Sequence, residues 1–134
     1  MNFEDKLRAS GLRPTKQRLR ICKILFDRDK TFHFLVKDLV ETLNQKYDEK
    51  KISVATVYNT VHAFKKSGYL KQLNIDTIHH YYDTNVSHHH HFFDEFTKEL
   101  IDLNNDQVEK IEIKKTLPGK TISSVEILVK IENK

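Results

Sequence analysis

The chain is poor in cysteine, glycine and proline, with one Cys, 3 Gly and 2 Pro in 134 residues. The lone cysteine, Cys22, excludes an intramolecular disulfide and any zinc site built on cysteine pairs. So little glycine and proline, beside 31% charged and 38% hydrophobic residues, excludes a low-complexity chain and fits an ordered one. No apolar run approaches membrane-spanning length, so no membrane partner is expected. The opening Met-Asn-Phe-Glu-Asp-Lys carries no signal-peptide pattern. The length suits one domain or two small ones. Cys22 sits among Leu19, Ile21, Ile24 and Leu25 in an apolar helical pattern. It reads as a core thiol rather than as a nucleophile or a ligand.

What the chain has in excess is histidine, grouped. His88, His89, His90 and His91 are consecutive, and His79 and His80 precede them. Imidazole is the commonest protein ligand for divalent transition metals. If the run is a strand, side chains alternate faces. His89 and His91 then point one way and His88 and His90 the other, and two imidazoles two apart can share one ion. Asp83, six residues before His89, can join them after a turn. The run reads as a metal or haem site; a solvated His-rich loop is the alternative.

The net charge of +4 is divided unevenly. Residues 1–72 hold 16 Lys/Arg against 8 Asp/Glu, and residues 73–134 hold 7 against 11, together with six of the eight histidines. A basic first half suits a polyanion and a His-rich second half suits a metal. A mixed-sign surface on an ordinary globular protein would give the same balance.

The patterning predicts helices over about 3–10 (Phe3 and Leu7 inward, Gly11 closing), 15–28 (Leu19, Cys22, Leu25, Phe26) and, after a break at Thr31 to Phe34, on to about Tyr47 (Leu35, Leu39, Val40, Leu43). Pro14 marks the link between the first two, and Asp48-Glu49-Lys50-Lys51 is a charged loop. A fourth helix is capped by Ser53, carries Val54, Val57, Val61 and Phe64 inward, and ends at Gly68. Its other face, Ala55, Thr56, Asn59, Thr60 and Ala63, is small and polar, able to enter a major groove. Strand-like runs at 69–74 and 78–83 turn near Asp76. Short helices, a small-faced helix and a hairpin make a winged helix-turn-helix; a plain helical bundle is the alternative. The second half reads as strands 88–96 and 99–103 turning at Thr97-Lys98, a helix from Asp106 to about Lys115 with Val108, Ile111 and Ile113 inward, and a half-buried strand over Thr121–Ile131. So thin a core gains most by pairing with a copy of itself, and a homodimer is expected. The fold class expected is α+β, with a winged helix-turn-helix over 1–83, a hinge about 83–87 and a small α/β dimerisation and sensing domain over 88–134.

Gly11-Leu12-Arg13-Pro14-Thr15 with Gln17-Arg18, Ser53-Val54-Ala55-Thr56-Val57-Tyr58-Asn59-Thr60, and Ser67-Gly68-Tyr69-Leu70 resemble the DNA-binding domain of the ferric uptake regulator superfamily. The resemblance covers nearly the whole chain. Tyr82–Val86, His89–His91 and Glu99-Leu100-Ile101-Asp102 look most like its iron response regulator branch in alphaproteobacteria. The resemblance implies a regulatory metal site of His33, Asp83, His89, His91 and Asp102, with His33 at the start of the third helix. Such a site links the two domains and can bias the spacing of the DNA-binding lobes. Its mixed nitrogen and oxygen donors suit Fe(II), Mn(II) or Zn(II). A second family site, for metal or haem, is matched by His88, His90 and Glu109, and its last histidine has no counterpart. The superfamily's structural zinc site of four cysteines is missing, its first pair aligning with Asp94 and Thr97. The N-terminal Cys-Pro haem motif of some members of that branch is also missing. For DNA, the resemblance points to Tyr58 as a base contact, to Arg13 in an A/T-rich minor groove, and to Lys16, Arg18, Thr56, Asn59 and Lys65 as groove or phosphate contacts. Tyr58, four residues after Val54, could instead be core, and His79 and His80 read as wing-surface residues.

The expectation is therefore a cytoplasmic, dimeric, metal- or haem-responsive repressor of iron homeostasis, acting on A/T-rich inverted repeats and not an enzyme. A peroxide-sensing repressor and a metal or haem buffering protein are the alternatives. A metal-dependent hydrolase would use the same ligands, but the sequence offers it no general base and no phosphate-cradling loop.

Overall fold

A computed structural model describes residues 2–47, 50–76 and 78–134. The acidic part of the expected charged loop, Asp48 and Glu49, lies outside the described residues. The chain divides into two compact units, 1–86 and 87–134, and the fold class is α+β.

The first unit opens with α1 (Phe3–Ala9). Asn2 starts it, its Oδ1 accepting from the Asp5 backbone N–H at 2.8 Å. Helix α2 (Lys16–Phe26) is shorter than expected at both ends; at its start Thr15 serves as the N-cap, Oγ1 accepting from the Arg18 N–H at 3.3 Å. The break that follows is not a loop. His33–Leu35 form strand β1, and helix α3 begins only at Val36 and runs to Lys46. The third helix thus starts later than its spacing suggests, and His33 lies on a strand rather than at a helix start. Helix α4 (Val54–Lys66) is capped by Ser53, whose Oγ accepts from the Thr56 N–H at 3.1 Å. It closes at Gly68, whose φ of +84° is a left-handed geometry cheap only for glycine, with the Tyr69 N–H returning to the Phe64 carbonyl at 2.9 Å.

Strands β2 (Lys71–Asn74) and β3 (His80–Asp83) make the expected hairpin, and β1 adds to its far edge, giving the order β1-β3-β2, all antiparallel. The β1 strand is lengthened by a reciprocal pair: the Phe32 N–H donates to Thr84 Oγ1 at 2.9 Å and the Thr84 N–H to the Phe32 carbonyl at 3.1 Å. Asp76 Oδ1 accepts from the Ile78 and His79 N–H groups and shapes the hairpin turn. Two helices, a strand, two more helices and a hairpin in this order are a winged helix-turn-helix.

The core of this unit draws on every helix: Leu7, Ile21, Cys22, Leu25, Leu39, Leu43, Val57, Val61 and Phe64 are buried, closed by Phe34 and Tyr82 from the sheet. Phe64 meets Phe26 edge-on at 5.4 Å between centroids. Two sequence expectations fail in α4. Val54 is 59% exposed rather than inward, and Thr60 is 0% exposed, its hydroxyl donating to the Thr56 carbonyl at 2.8 Å. A hydroxyl that can bond one turn back tolerates burial, so small size, not polarity, decided that position.

In the second unit β4 (His90–Asp94) is the middle strand, antiparallel to β5 (Leu100–Leu103) and parallel to β6 (Leu128–Ile131). Asp94 Oδ1 accepts from the Phe96 and Thr97 N–H groups, and Lys98 takes a φ of +64° to complete the turn. The helix expected over 106–115 does not form: a single 3-10 turn, Asn105–Gln107, precedes a stretch with no regular structure. Ile111 and Ile113, expected inward, are 38% and 52% exposed. Ten residues make a marginal helix unless one face is packed, and here the face meant to pack stays largely open, with Ile111 and Ile113 exposed and Val108 half-buried. The strand expected over 121–131 shrinks to its last four residues, those that find a partner in β4. Alternation shows that a segment is amphipathic; only a neighbour makes it a strand.

Candidate functional site

Two groups of metal-ligating side chains stand out, one in each unit. In the first, β1 and β3 bring His33 and Asp83 into register as paired residues. The Asp83 side chain is fully buried, with Oδ2 3.1 Å from His33 Nε2. Its Oδ1 accepts from the Asn85 N–H at 2.8 Å. A carboxylate taken wholly out of water needs such partners, since an uncompensated buried charge is heavily penalised. Fifty residues of chain separate the two, and the strand pairing unites them.

In the second unit the histidine run alternates. His89 and His91 have ring centroids 4.4 Å apart, and His88 and His90 5.4 Å apart. Asp102, opposite His91 in β5, completes the first pair: its Oδ1 lies 3.3 Å from His89 Nε2 and 3.5 Å from His91 Nε2. The donor atoms of His89, His91 and Asp102 all lie within 4.8 Å of one another. Ligand bonds of about 2.0–2.2 Å place neighbouring donors roughly 3 Å apart, so the three are spaced for one ion with little movement. The Ser87 carbonyl can only accept, so the His89 Nδ1–H donates to it at 2.8 Å, and Nε2 is the nitrogen that faces the Asp102 carboxylate. A backbone carbonyl on the far nitrogen is the usual device that orients a metal-bound histidine. Three buried or half-buried nitrogen and oxygen donors, none of them sulfur, fit a borderline or hard divalent ion.

The other pair is committed differently. His88 Nε2–H donates to the Val125 carbonyl at 2.9 Å, and His90 Nδ1 accepts from the Ile127 N–H at 2.9 Å. Burial first, and then the neighbouring His88, hold the His90 pKa below its ordinary value, so the ring stays neutral with its proton on Nε2. To ligate through Nε2, His90 would have to give up the bond to Ile127. Glu109 borders the same open depression of about 500 Å³ as His88 and His90. That depression is a surface feature of the second unit, and its two histidines serve to pin the chain from Val125 to Ile127 against β4.

The expected DNA-contact residues lie in the first unit. Lys16, Arg18 and Thr56 line one concavity of about 440 Å³, together with Thr15, Arg20 and Lys50. Arg20 and Lys50 were not among the expected contacts; Arg20 stands in the same run as Lys16 and Arg18, and only the fold brings Lys50 to them. Arg18 Nη1 donates to the Arg13 carbonyl at 3.0 Å, tying the α1–α2 link to this wall. The Lys65 ammonium donates to Gln72 Oε1 and joins α4 to the hairpin. Tyr58 is 50% exposed, not core, and Asn59 is exposed beside it. His79 and His80 are exposed on the hairpin.

Residues 9–130 match the sequence pattern of the Ferric uptake regulator family. The chain belongs to that family. Among curated relatives, it is 30% identical over 106 residues to a peroxide-responsive repressor of Staphylococcus epidermidis, covering 79% of this chain and 68% of that one. It is 28% identical over 109 residues to a ferric uptake regulation protein of Campylobacter upsaliensis, covering 81% and 69%. Among solved structures, it resembles the ferric uptake regulator of Pseudomonas aeruginosa with manganese, at a TM-score of 0.70 and 22% identity over 100% of this chain and 99% of that one. The ferric uptake regulator of Vibrio cholerae gives a TM-score of 0.72 at 18% identity, over 98% and 100%. Members of the ferric uptake regulator family are metal-responsive transcription regulators, peroxide-responsive repressors among them.

Proposed function

We propose that this ferric uptake regulator family member is a homodimeric, metal-responsive repressor. Its first unit binds A/T-rich inverted-repeat DNA, and its second unit joins two copies. The sensing ion takes His33, Asp83, His89, His91 and Asp102 as ligands, drawn from both units. The observation that carries this reading is the state of the donors: a fully buried Asp83 beside His33, and a His89 whose tautomer is set by Ser87 with Nε2 toward Asp102. When bound, a divalent ion would supply the positive charge that balances the two carboxylates. Fe(II), Mn(II) and Zn(II) all suit the donor set.

The DNA role rests on the basic wall of Lys16, Arg18, Arg20 and Lys50, with Arg13, Thr56, Tyr58, Asn59 and Lys65 around it. The dimer role rests on what the second unit leaves uncovered: Phe96, Ile101, Ile113, Leu117 and Ile122 are each at least 44% exposed. A second copy is the occupant that a self-complementary regulator of two half-sites requires.

The test is DNA binding by fluorescence anisotropy at one fixed salt concentration, using an A/T-rich inverted repeat and random DNA. Mn(II), a stable substitute for Fe(II), is expected to tighten operator binding, and Asp83→Asn and His89→Ala each to abolish that response. If only His89→Ala abolished it, the ion would belong to the second unit alone. If no condition favoured the operator over random DNA, the regulator reading would fall and a metal-buffering role would replace it. Peroxide sensing is the second reading, favoured by the similarity to peroxide-responsive repressors at 30% and 31% identity. It expects the Fe(II)-loaded protein to lose operator binding on peroxide treatment, with oxygen added to a ligand histidine by mass spectrometry. A haem-sensing role, implied by likeness to the iron response regulator branch, expects release by haem in the same assay and a Soret shift lost in His88→Ala.

A further inference from the structure

The outward face of α4 differs from the one its sequence suggests, and the difference carries an inference that rests on the DNA-binding reading. The small polar positions do not form one free face, since Thr60 is fully buried and Thr56 is half-buried. What faces out instead is a stripe at four-residue spacing: Val54, Tyr58 and His62. Val54 is 59% and Tyr58 50% exposed, and His62 is exposed. The Tyr58 and His62 rings lie nearly parallel, 6° apart in tilt with centroids separated by 6.1 Å. A valine and a tyrosine left in solvent on this helix have no role in its core. Cations flank the stripe, with Lys16, Arg18 and Lys50 beside Thr56 and Lys65 and Lys66 at the C-terminal end.

We propose that His62 is a base-reading residue, and that Val54, Tyr58 and His62 read one continuous stretch of operator in the major groove. At about 1.5 Å per residue the stripe is about 12 Å long, the span of roughly three to four base pairs at about 3.4 Å each. Val54 and the Tyr58 ring offer apolar surface to thymine C5-methyl groups. His62 adds a directional group at the end of the stripe. Its ring donates one N–H to a purine N7 in the groove, and the parallel Tyr58 ring limits the orientations it can take. The half-site expected is a thymine-rich step followed, at one terminal position of the same strand, by a purine that His62 selects.

The experiment is selection from a randomised inverted-repeat library with the full-length Mn(II)-loaded protein, comparing wild type with His62→Ala and Val54→Ala. Circular dichroism melts of the variants are expected to match wild type, since both positions are exposed. Wild type is expected to select an A/T-rich half-site with a purine preference at one terminal position. In His62→Ala that single preference is expected to disappear, with about a 10-fold loss of affinity for the preferred site and little loss for sites already lacking the purine. In Val54→Ala thymine preference is expected to weaken at the opposite end only. An unchanged base preference in His62→Ala would overturn the assignment, as would an equal loss of affinity for every sequence, the mark of a phosphate contact. Failure of the wild type itself to select any sequence would instead sink the DNA-binding reading, and this inference with it.

Discussion

Cys22 shows how little a residue's reactive chemistry counts once packing has enclosed it. Its side chain is fully buried in the helical core, and desolvation pushes the thiol up from 9.0 to about 11. The thiolate is the reactive species, so a thiol reagent at mildly alkaline pH is expected to modify native protein far more slowly than protein in denaturant. The linkage has a definite sign. In the unfolded chain the thiol ionises near its ordinary value of 9.0, while in the fold it keeps its proton to about 11. The unfolded state then binds fewer protons, so stability falls as pH rises through that window. Urea melts across and below this window are expected to show a shallower decline for Cys22→Ala than for wild type, whatever the substitution costs at neutral pH. Parallel declines would mean that the thiol does not contribute. The same scale decides the histidines: four identical side chains in sequence are sorted by their partners, Ser87 holding His89 with Nε2 toward Asp102 and Ile127 taking up Nδ1 of His90.

Helix α4 is the element on which most of the reading depends, and its ends are local chemistry. Ser53 satisfies the Thr56 N–H, and Gly68 lets the chain turn back to Phe64. Ser53→Ala is expected to lower stability by about 1 kcal/mol through loss of the cap, and Ser53→Gly by only a few tenths, in urea melts. Equal losses for both would show that the hydroxyl does not cap. Both ends were legible because a cap and a left-handed glycine act within a few residues of where they stand. The faces of the helix were less legible. Val57, Val61 and Phe64 are inward as their spacing suggests, whereas Val54, at the first position of the helix, is outward. The element that failed, the helix over 106–115, had the right period, and its Ile111 and Ile113 stay exposed.

At the scale of the molecule, the second unit is the exposed partner. Only Phe93, Leu100 and Leu103 among its described apolar side chains are buried, beside three histidines. A sheet of three short strands with so little enclosed apolar surface is marginal alone. Light scattering after size exclusion is expected to give a dimer for wild type. The double variant Ile111→Lys with Ile113→Lys is expected to shift the mass toward monomer and to weaken operator binding, while sparing the first unit's fold. A monomeric wild type at micromolar concentration would remove the second copy from the account.

The sequence by itself determined that the first unit holds four helices and that Ser53 and Gly68 bound the last of them, the exclusion of a disulfide or cysteine-pair zinc, and the donor types available to a metal. These follow from composition, or from interactions between residues a few places apart. The tertiary structure alone decided that His33 sits on a strand opposite Asp83 and that Asp102 faces His89 and His91. It also decided that Val54 and His62 look outward while Thr60 does not, and that only the last four residues of the final alternating run become a strand. Each of these depends on a partner far along the chain. Periodicity states which side of a segment is apolar, and only packing states what lies against it.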